Sequence, residues 1–207
     1  ETADRIVNHY RRLLEHSLFN AEKPVMELEM MMEEDKQRLL VEFNRTEAAY
    51  PQEKTICELV VLQVKKNPGK IAAIERDSNR SISYGGLNEQ VDRLAHRLTG
   101  KTSGKIGFIA AVMGERKIEI LTAILAVLKA GGIYLPIDAQ NPEERIKYII
   151  EDSRAFMLLV QQRVLEKRRH LGGYFDPDHI MLVDDPALYT GGVLEPSPKA
   201  EPGNNAY

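Results

Sequence analysis

Residues 51–207 predict an α/β fold, a mainly parallel sheet flanked by helices, and residues before them predict a helical linker. From Thr55 onward, short apolar runs alternate with segments of helical period, the pattern of a sheet whose strands are joined by helices. Lys105 to Val112, KIGFIAAV, is an almost unbroken apolar run, as expected of a strand covered on both faces. Before Thr55 there is helical periodicity and no strand pattern.

The opening residues read as an amphipathic helix. Ile6, Val7, Tyr10, Leu13, Leu14 and Leu18 recur at helical spacing, with Arg5, Arg11, Arg12 and Glu15 opposite. This stripe needs a partner. Asn20 to Pro24 breaks the pattern, and a Met-rich acidic stretch leads to a second helical run from about Glu33 to Phe43. Met30, Met31 and Met32 read as ordinary linker packing, and Asn44 to Gln52 as a connector.

Thr55-Ile56-Cys57-Glu58 has the form of a capping box, and Ile56, Leu59, Val60 and Val64 form the expected buried stripe up to Asn67-Pro68-Gly69. Ile71 to Glu75 and Ser81 to Ser83 flank Asp77-Ser78-Asn79 as a hairpin. A helix follows from about Tyr84 to Thr99, burying Leu87, Val91, Leu94, Ala95 and Leu98. The helix from about Arg116 to Ala130 is apolar nearly all round and so buried, with Gly131-Gly132 as its left-handed end. Ile133 to Ile137 is a short strand. Asn141-Pro142-Glu143-Glu144 predicts a helix start, with an asparagine cap, proline in first position and acids at the positive dipole end. Ile146, Ile149 and Ile150 face inward from it. Ala155 to Val160 and Ile180 to Val183 are strands around a basic helix, Val164 to His170. Pro186 to Tyr207 is rich in Gly, Pro, Ser and Asn and reads as loop.

The chemistry-bearing residue types form no site. The formal net charge is −3, from 28 Lys+Arg against 31 Asp+Glu, so the basic surplus of a nucleic-acid binder is lacking. The longest apolar stretch, Ile118 to Leu128, carries Glu119 and Thr122 and falls short of the about 20 residues of a membrane span. A single cysteine, Cys57, and the polar opening predict a cytoplasmic chain without an internal disulfide. Cys57 lies among apolar helix positions and reads as a buried thiol. His9, His16, His96, His170 and His179 show no metal-ligand spacing. Asp176, Asp178, Asp184 and Asp185 lack the glycine and glutamate of a calcium loop and read as a solvated loop. Gly100-Lys101-Thr102-Ser103-Gly104-Lys105 is one residue short of a phosphate loop and precedes a strand instead of following one, so it reads as a turn. Lys167-Arg168-Arg169-His170 complements a helix end. The predicted catalytic, cofactor-binding and metal-binding residues are therefore none.

Several stretches resemble the start of an adenylation domain of a nonribosomal peptide synthetase. Leu128 to Asp138, LKAGGIYLPID, resembles the family's second core signature almost letter for letter, and continues through Asn141 to Arg145 and Tyr148 to Ser153. Ser83-Tyr84-Gly85-Gly86-Leu87-Asn88 resembles the first signature. Phe43-Asn44, Thr46, Tyr50-Pro51 and Thr55-Ile56 resemble the opening segment. Residues 1–20 resemble the last helix of a condensation domain, 21–50 the interdomain linker, and 51–207 the N-terminal part of the adenylation domain of the adenylate-forming (acyl-CoA synthetase/luciferase-like) fold. The chain departs at Gly86, where the family has glutamate, at Ala139 for a proline, and at Cys57 for a histidine. Glu201 to Tyr207, EPGNNAY, resembles the approach to the loop that holds the ATP phosphates, and the sequence stops before that loop.

The resemblance implies a ligase of antibiotic and secondary-metabolite assembly. The complete domain would use ATP and magnesium to form an aminoacyl-AMP, then load a carrier protein's phosphopantetheine. Its partners would be the upstream condensation domain, the downstream carrier domain and the remainder of the adenylation domain, without nucleic acid or membrane. This chain alone is expected to bind no cofactor and to be inactive. The alternatives are a standalone acyl-CoA ligase, which the leading helix and linker argue against, and a non-catalytic scaffold or docking module.

Overall fold

A computed structural model describes residues 2–191 and 206, and divides the chain into two compact units, Glu1–Tyr50 and Pro51–Tyr207. The first unit opens with helix α1, Thr2–Phe19. Its Asn20 side chain donates to the His16 carbonyl at 2.9 Å. The His16 ring then accepts from the Glu29 N–H at 2.7 Å, and His9 lies 3.7 Å from the Asp35 carboxylate. Helix α2, Glu33–Gln37, follows, with Lys36 3.0 Å from Glu29 and 3.4 Å from Glu33. The single helix expected to Phe43 instead widens into a π-turn at Arg38–Glu42. Within this unit α1 turns His9 and His16 inward and leaves Ile6, Val7, Tyr10 and Leu18 exposed.

The second unit starts at the predicted capping box. Thr55 Oγ accepts from the Glu58 N–H at 3.2 Å, and Glu58 accepts in return from the Thr55 N–H at 2.8 Å, fixing the start of helix α3, Ile56–Lys66. The stripe is rotated from the one expected. Cys57, Val60, Val61 and Val64 are partly buried while Ile56 and Leu59 are exposed. The apolar residues of α3 spread over more than one face, which left that rotation undetermined by periodicity.

Strands β1, Ile71–Ile74, and β2, Ser81–Ser83, pair antiparallel as the expected hairpin, with Asn79 at φ 52 in its turn. Helix α4, Tyr84–Lys101, begins on Ser83, whose hydroxyl accepts from the Gly86 N–H at 3.1 Å. It buries Leu87, Val91, Leu94, Ala95 and Leu98, as predicted, and runs past Thr99 to Lys101.

Among the described residues, four parallel strands form the main sheet in the order β4-β3-β5-β6. They are β3, Ile109–Met113; β4, Ile133–Pro136; β5, Met157–Val160; and β6, Ile180–Leu182. The first of them starts later than Lys105, because Gly107 takes a left-handed φ of 76° and donates to the Gly131 carbonyl at 2.7 Å. Helix α5, Ile118–Lys129, links β3 to β4 and ends at Gly131, φ 78°, as its glycines require. At Gly132 a Cβ would come within 2.5 Å of the buried Phe108 ring, so the backbone passes where only glycine fits.

Helix α6, Glu143–Ser153, corrects the predicted cap. Pro142 itself occupies the cap position with ψ 148°, so Asn141 lies one residue too early and makes no side-chain cap. Proline's φ suits a helix, but its ψ here is extended, and the chain turns helical only afterwards. Ile146 and Ile150 are buried, and Ile149 is partly so. The basic helix is shorter and earlier than expected: α7 is Gln162–Lys167, followed by a 3-10 turn at Arg169–Gly173. Pro186–Tyr189 forms another 3-10 turn, and the rest of the expected terminal loop lies outside the described residues apart from Ala206.

The sheet separates two cores. Ala110, Val112, Met157 and Leu159 face one core with α4 and α5, while Ala111, Met113, Leu158 and Val160 face another with α6 and α7. This alternation follows from the period of a strand. Among the described residues no helix is long and apolar enough to cross a membrane.

Gly86 leaves the α4 capping box half made, yet a Cβ there would meet Ile82 and Ser83 Oγ only at 3.4 Å. Gly86→Glu is therefore expected to stabilise the protein by about 1 kcal/mol, read as a higher urea midpoint with unchanged slope.

Candidate functional site

In open α/β sheets ligands bind beyond the carboxyl ends of the strands, where neighbouring strands send their crossovers to opposite sides. Here that position lies between β3, which continues into α5 on one face, and β5, which continues into α7 on the other. It is filled from within. The side chain of Gln161, 5% exposed, accepts from the Glu115 N–H at 2.7 Å. Above β3, a Cβ on Gly114 would stand 2.4 Å from Ile120 and 2.9 Å from Gln161 Oε1. Gly114 lets the strand end close against both.

A second position favoured by anions is the N-terminus of the helix that follows such a strand. At α5 the hairpin supplies the anion. Glu75, 8% exposed, accepts from the Ile118 N–H at 3.1 Å, from the Ser78 hydroxyl at 2.5 Å and from Arg80 at 2.6 Å. Arg80 also pairs with Glu119 at the start of α5. The Ser78 hydroxyl above all, then the Ile118 N–H and Arg80, hold the Glu75 carboxyl down to about 2 against the opposing effect of burial. The carboxylate does for the helix end what a bound phosphate would do.

Several acids near these strand ends are engaged by backbone. Asp184 accepts from the Gln162 N–H at 2.8 Å, Asp185 from the Ala187 N–H at 2.9 Å, and Asp138 from the Gln140 N–H at 2.8 Å. At the opposite, amino end of β6, Asp176 accepts from the Asp178 N–H at 2.9 Å. Among the described residues no group of three His, Cys, Asp or Glu side chains is placed to hold a metal ion.

The Gly100 to Lys105 segment is the end of α4. Gly104 donates to the Thr99 carbonyl at 3.0 Å and Lys105 to the Thr102 carbonyl at 3.0 Å, so those amides point back into the helix. Cys57 Sγ lies 3.9 Å from the Leu125 carbonyl oxygen; burial pushes its thiol up to about 11, with Lys129 opposing. Such a thiol carries little thiolate at neutral pH. Sequence reasoning missed Gln161 and Glu75. Gln161 had one visible signal, a polar residue directly after the four buried residues of β5; Glu75 acts at a helix 43 positions away, which local pattern does not reveal.

The family model for AMP-binding enzymes matches residues 61–205. The chain belongs to that family. Tyrocidine synthase 3 of Brevibacillus parabrevis is 35% identical over 204 residues, which is 99% of this chain and 3% of that protein. Bacitracin synthase 3 of Bacillus licheniformis is 43% identical over 156 residues, 75% of this chain and 2% of that protein. A crystal structure of the nonribosomal peptide synthetase FmoA3 with α-methyl-L-serine-AMP bound superposes with a TM-score of 0.70 at 25% identity, covering 86% of this chain and 19% of that one. This AMP-binding-family chain is thus the N-terminal portion of a peptide-synthetase adenylation domain, and it spans only a few hundredths of the length of these relatives.

Because Glu75 ionises more readily folded than unfolded, it stabilises the fold fully above its ordinary value of 4.5 and loses that contribution as pH falls toward about 2. Urea midpoints across this window are expected to fall for the native chain and to change less for Glu75→Gln, which starts lower at neutral pH.

Proposed function

We propose that this chain is the bracing part of an adenylation domain that joins an amino acid to ATP, releases pyrophosphate and passes the aminoacyl group to a carrier protein's phosphopantetheine thiol. On this reading residues 1–20 close a preceding condensation domain, 21–50 link it to the adenylation domain, and 51–207 begin that domain. The observation that carries it is kinship with peptide synthetases along almost the whole chain, the linker included. The filled crevice at Gln161 and the carboxylate at the start of α5 support a division of labour. These residues hold a sheet rigid, and the groups that meet ATP, magnesium and the amino acid come from chain beyond Tyr207.

Rigidity is what such a part can contribute. Electrostatic stabilisation of a reacting phosphate works only when its donors are fixed before the reaction. A doubly covered sheet supplies fixed strand ends from which a following loop can present those donors. No catalytic, cofactor-binding or metal-binding residue is assigned within this chain.

Residues 1–207 are expected to give no amino-acid-dependent exchange of pyrophosphate into ATP. The same chain extended by its downstream coding sequence is expected to give exchange with one amino acid or a narrow set. Exchange by residues 1–207 alone would overturn the bracing role, and its absence from the extended protein would overturn the adenylation role.

A further inference from the structure

His9 and His16 lie on the inward side of α1, about two turns apart, and they meet the linker with opposite demands for a proton. His16 Nδ1 accepts from the Glu29 N–H at 2.7 Å. A ring nitrogen accepts only while it carries no proton, so the docked His16 is neutral and has its one N–H at Nε2. His9 Nε2 instead lies 3.7 Å from the Asp35 carboxylate and makes no hydrogen bond among the described residues. A charged ring there gains an attraction to Asp35 that a neutral ring forgoes.

The stretch between α1 and α2 is held lightly. Of residues 21–30, Leu28 is partly buried and the others are exposed. Its backbone bonds, from Lys23 to Asn20, Glu27 to Pro24 and Leu28 to Val25, close local turns only. Lys36 donates to the Glu29 carboxylate at 3.0 Å, which fastens Glu29 to α2. The bond from the Glu29 N–H to His16 ties the stretch back to α1.

The charged groups around that bond come from both sides. Arg12 stands one turn before His16 on α1, and the Glu29 carboxylate and Lys36 come from the linker and α2. Lys36 above all, then His16 and Arg12, hold the Glu29 carboxyl below its usual range. The carboxylate favours a proton on His16, while Arg12 and Lys36 oppose it. Whatever their balance, a proton on Nδ1 turns the acceptor into a donor that faces another donor, and the bond is lost.

We propose that His16 is a proton-operated release for the linker. Neutral, it holds Glu29 against α1; protonated, it frees residues 21–29 while the His9–Asp35 pair strengthens. The released form binds one proton more at His16 than the docked form, so falling pH favours release. The device lies wholly within residues 1–50 and stands or falls apart from the function proposed above.

Heteronuclear NMR of residues 1–207 between about pH 8 and about pH 5, the interval in which histidine ordinarily changes charge, tests it. At the upper end the His16 ring is expected to carry its proton on Nε2, and the Glu29 amide proton to be displaced downfield by its bond to the ring. On acidification that displacement is expected to vanish along the titration curve of the His16 ring. The Phe43 amide, bonded to the Arg38 carbonyl at 2.9 Å in the same unit, is expected to stay where it is. His16→Asn offers an oxygen near the position of Nδ1 and does not titrate, so its Glu29 amide is expected to keep the displacement at both ends of the range. A ring proton on Nδ1 at the upper end, or a Glu29 signal that ignores the His16 titration, would overturn the proposal. So would Glu29 and Phe43 moving together, which would make acid unfolding of the whole unit the cause. If His16→Asn does not dock Glu29 at either end, the titration of the native chain decides the matter by the same comparison.

Discussion

The backbone of β3 can satisfy its polar groups only between two other strands, and its side chains, apolar on both sides, must be taken out of water on both faces. Ala110 and Val112 enter one core, Ala111 and Met113 the other. Helices must therefore lie on both sides of the sheet, and the chain must cross over in opposite directions from β3 and β5. That reversal creates the crevice at the strand ends. The short alanines of β3 let α5 and α6 approach closely, and Gly132 and Gly114 permit the tight passes at Phe108 and Ile120.

Given such a crevice, its contents matter more than its existence. Gln161 is a buried amide whose oxygen is satisfied by the Glu115 N–H, and that bond joins β5 to the β3–α5 turn. Glu75 joins the β1–β2 hairpin to the start of α5, and its bonds with Ser78, Ile118 and Arg80 make it costly to displace. Each group stands where other α/β proteins receive a ligand, and each ties two parts of this fold together. The membership in the AMP-binding family and the architecture fit together on this view, with stiffness supplied by these residues and reactivity by others.

Much of this was legible in the sequence because it is local. Thr55 and Glu58 cap α3, Gly131 ends α5, Asn79 turns the hairpin, and the five inward residues of α4 are the five expected. The LKAGGIYLPID stretch carried the family and also, physically, a helix end, a glycine pass and a strand. What failed was rotation, exact starts and long range. The apolar residues of α3 spread over more than one face, so packing and not periodicity decides that Cys57 and Val61 turn inward in place of Ile56 and Leu59. Pro142 has a helical φ but an extended ψ, and displaced Asn141 as the cap. The bracing pairs, Gln161 with Glu115 and Glu75 with Ile118, link residues that only the folded chain brings together.

Both cores share one sheet and are expected to unfold as one body. Val112→Ala removes apolar volume from the α4–α5 side alone, and hydrogen exchange can be read on both sides. Protected amides of α5 and of α6 are expected to accelerate by the same factor, because β3 is shared by both cores and its loss opens both. Acceleration confined to α5, with α6 unchanged, would contradict it.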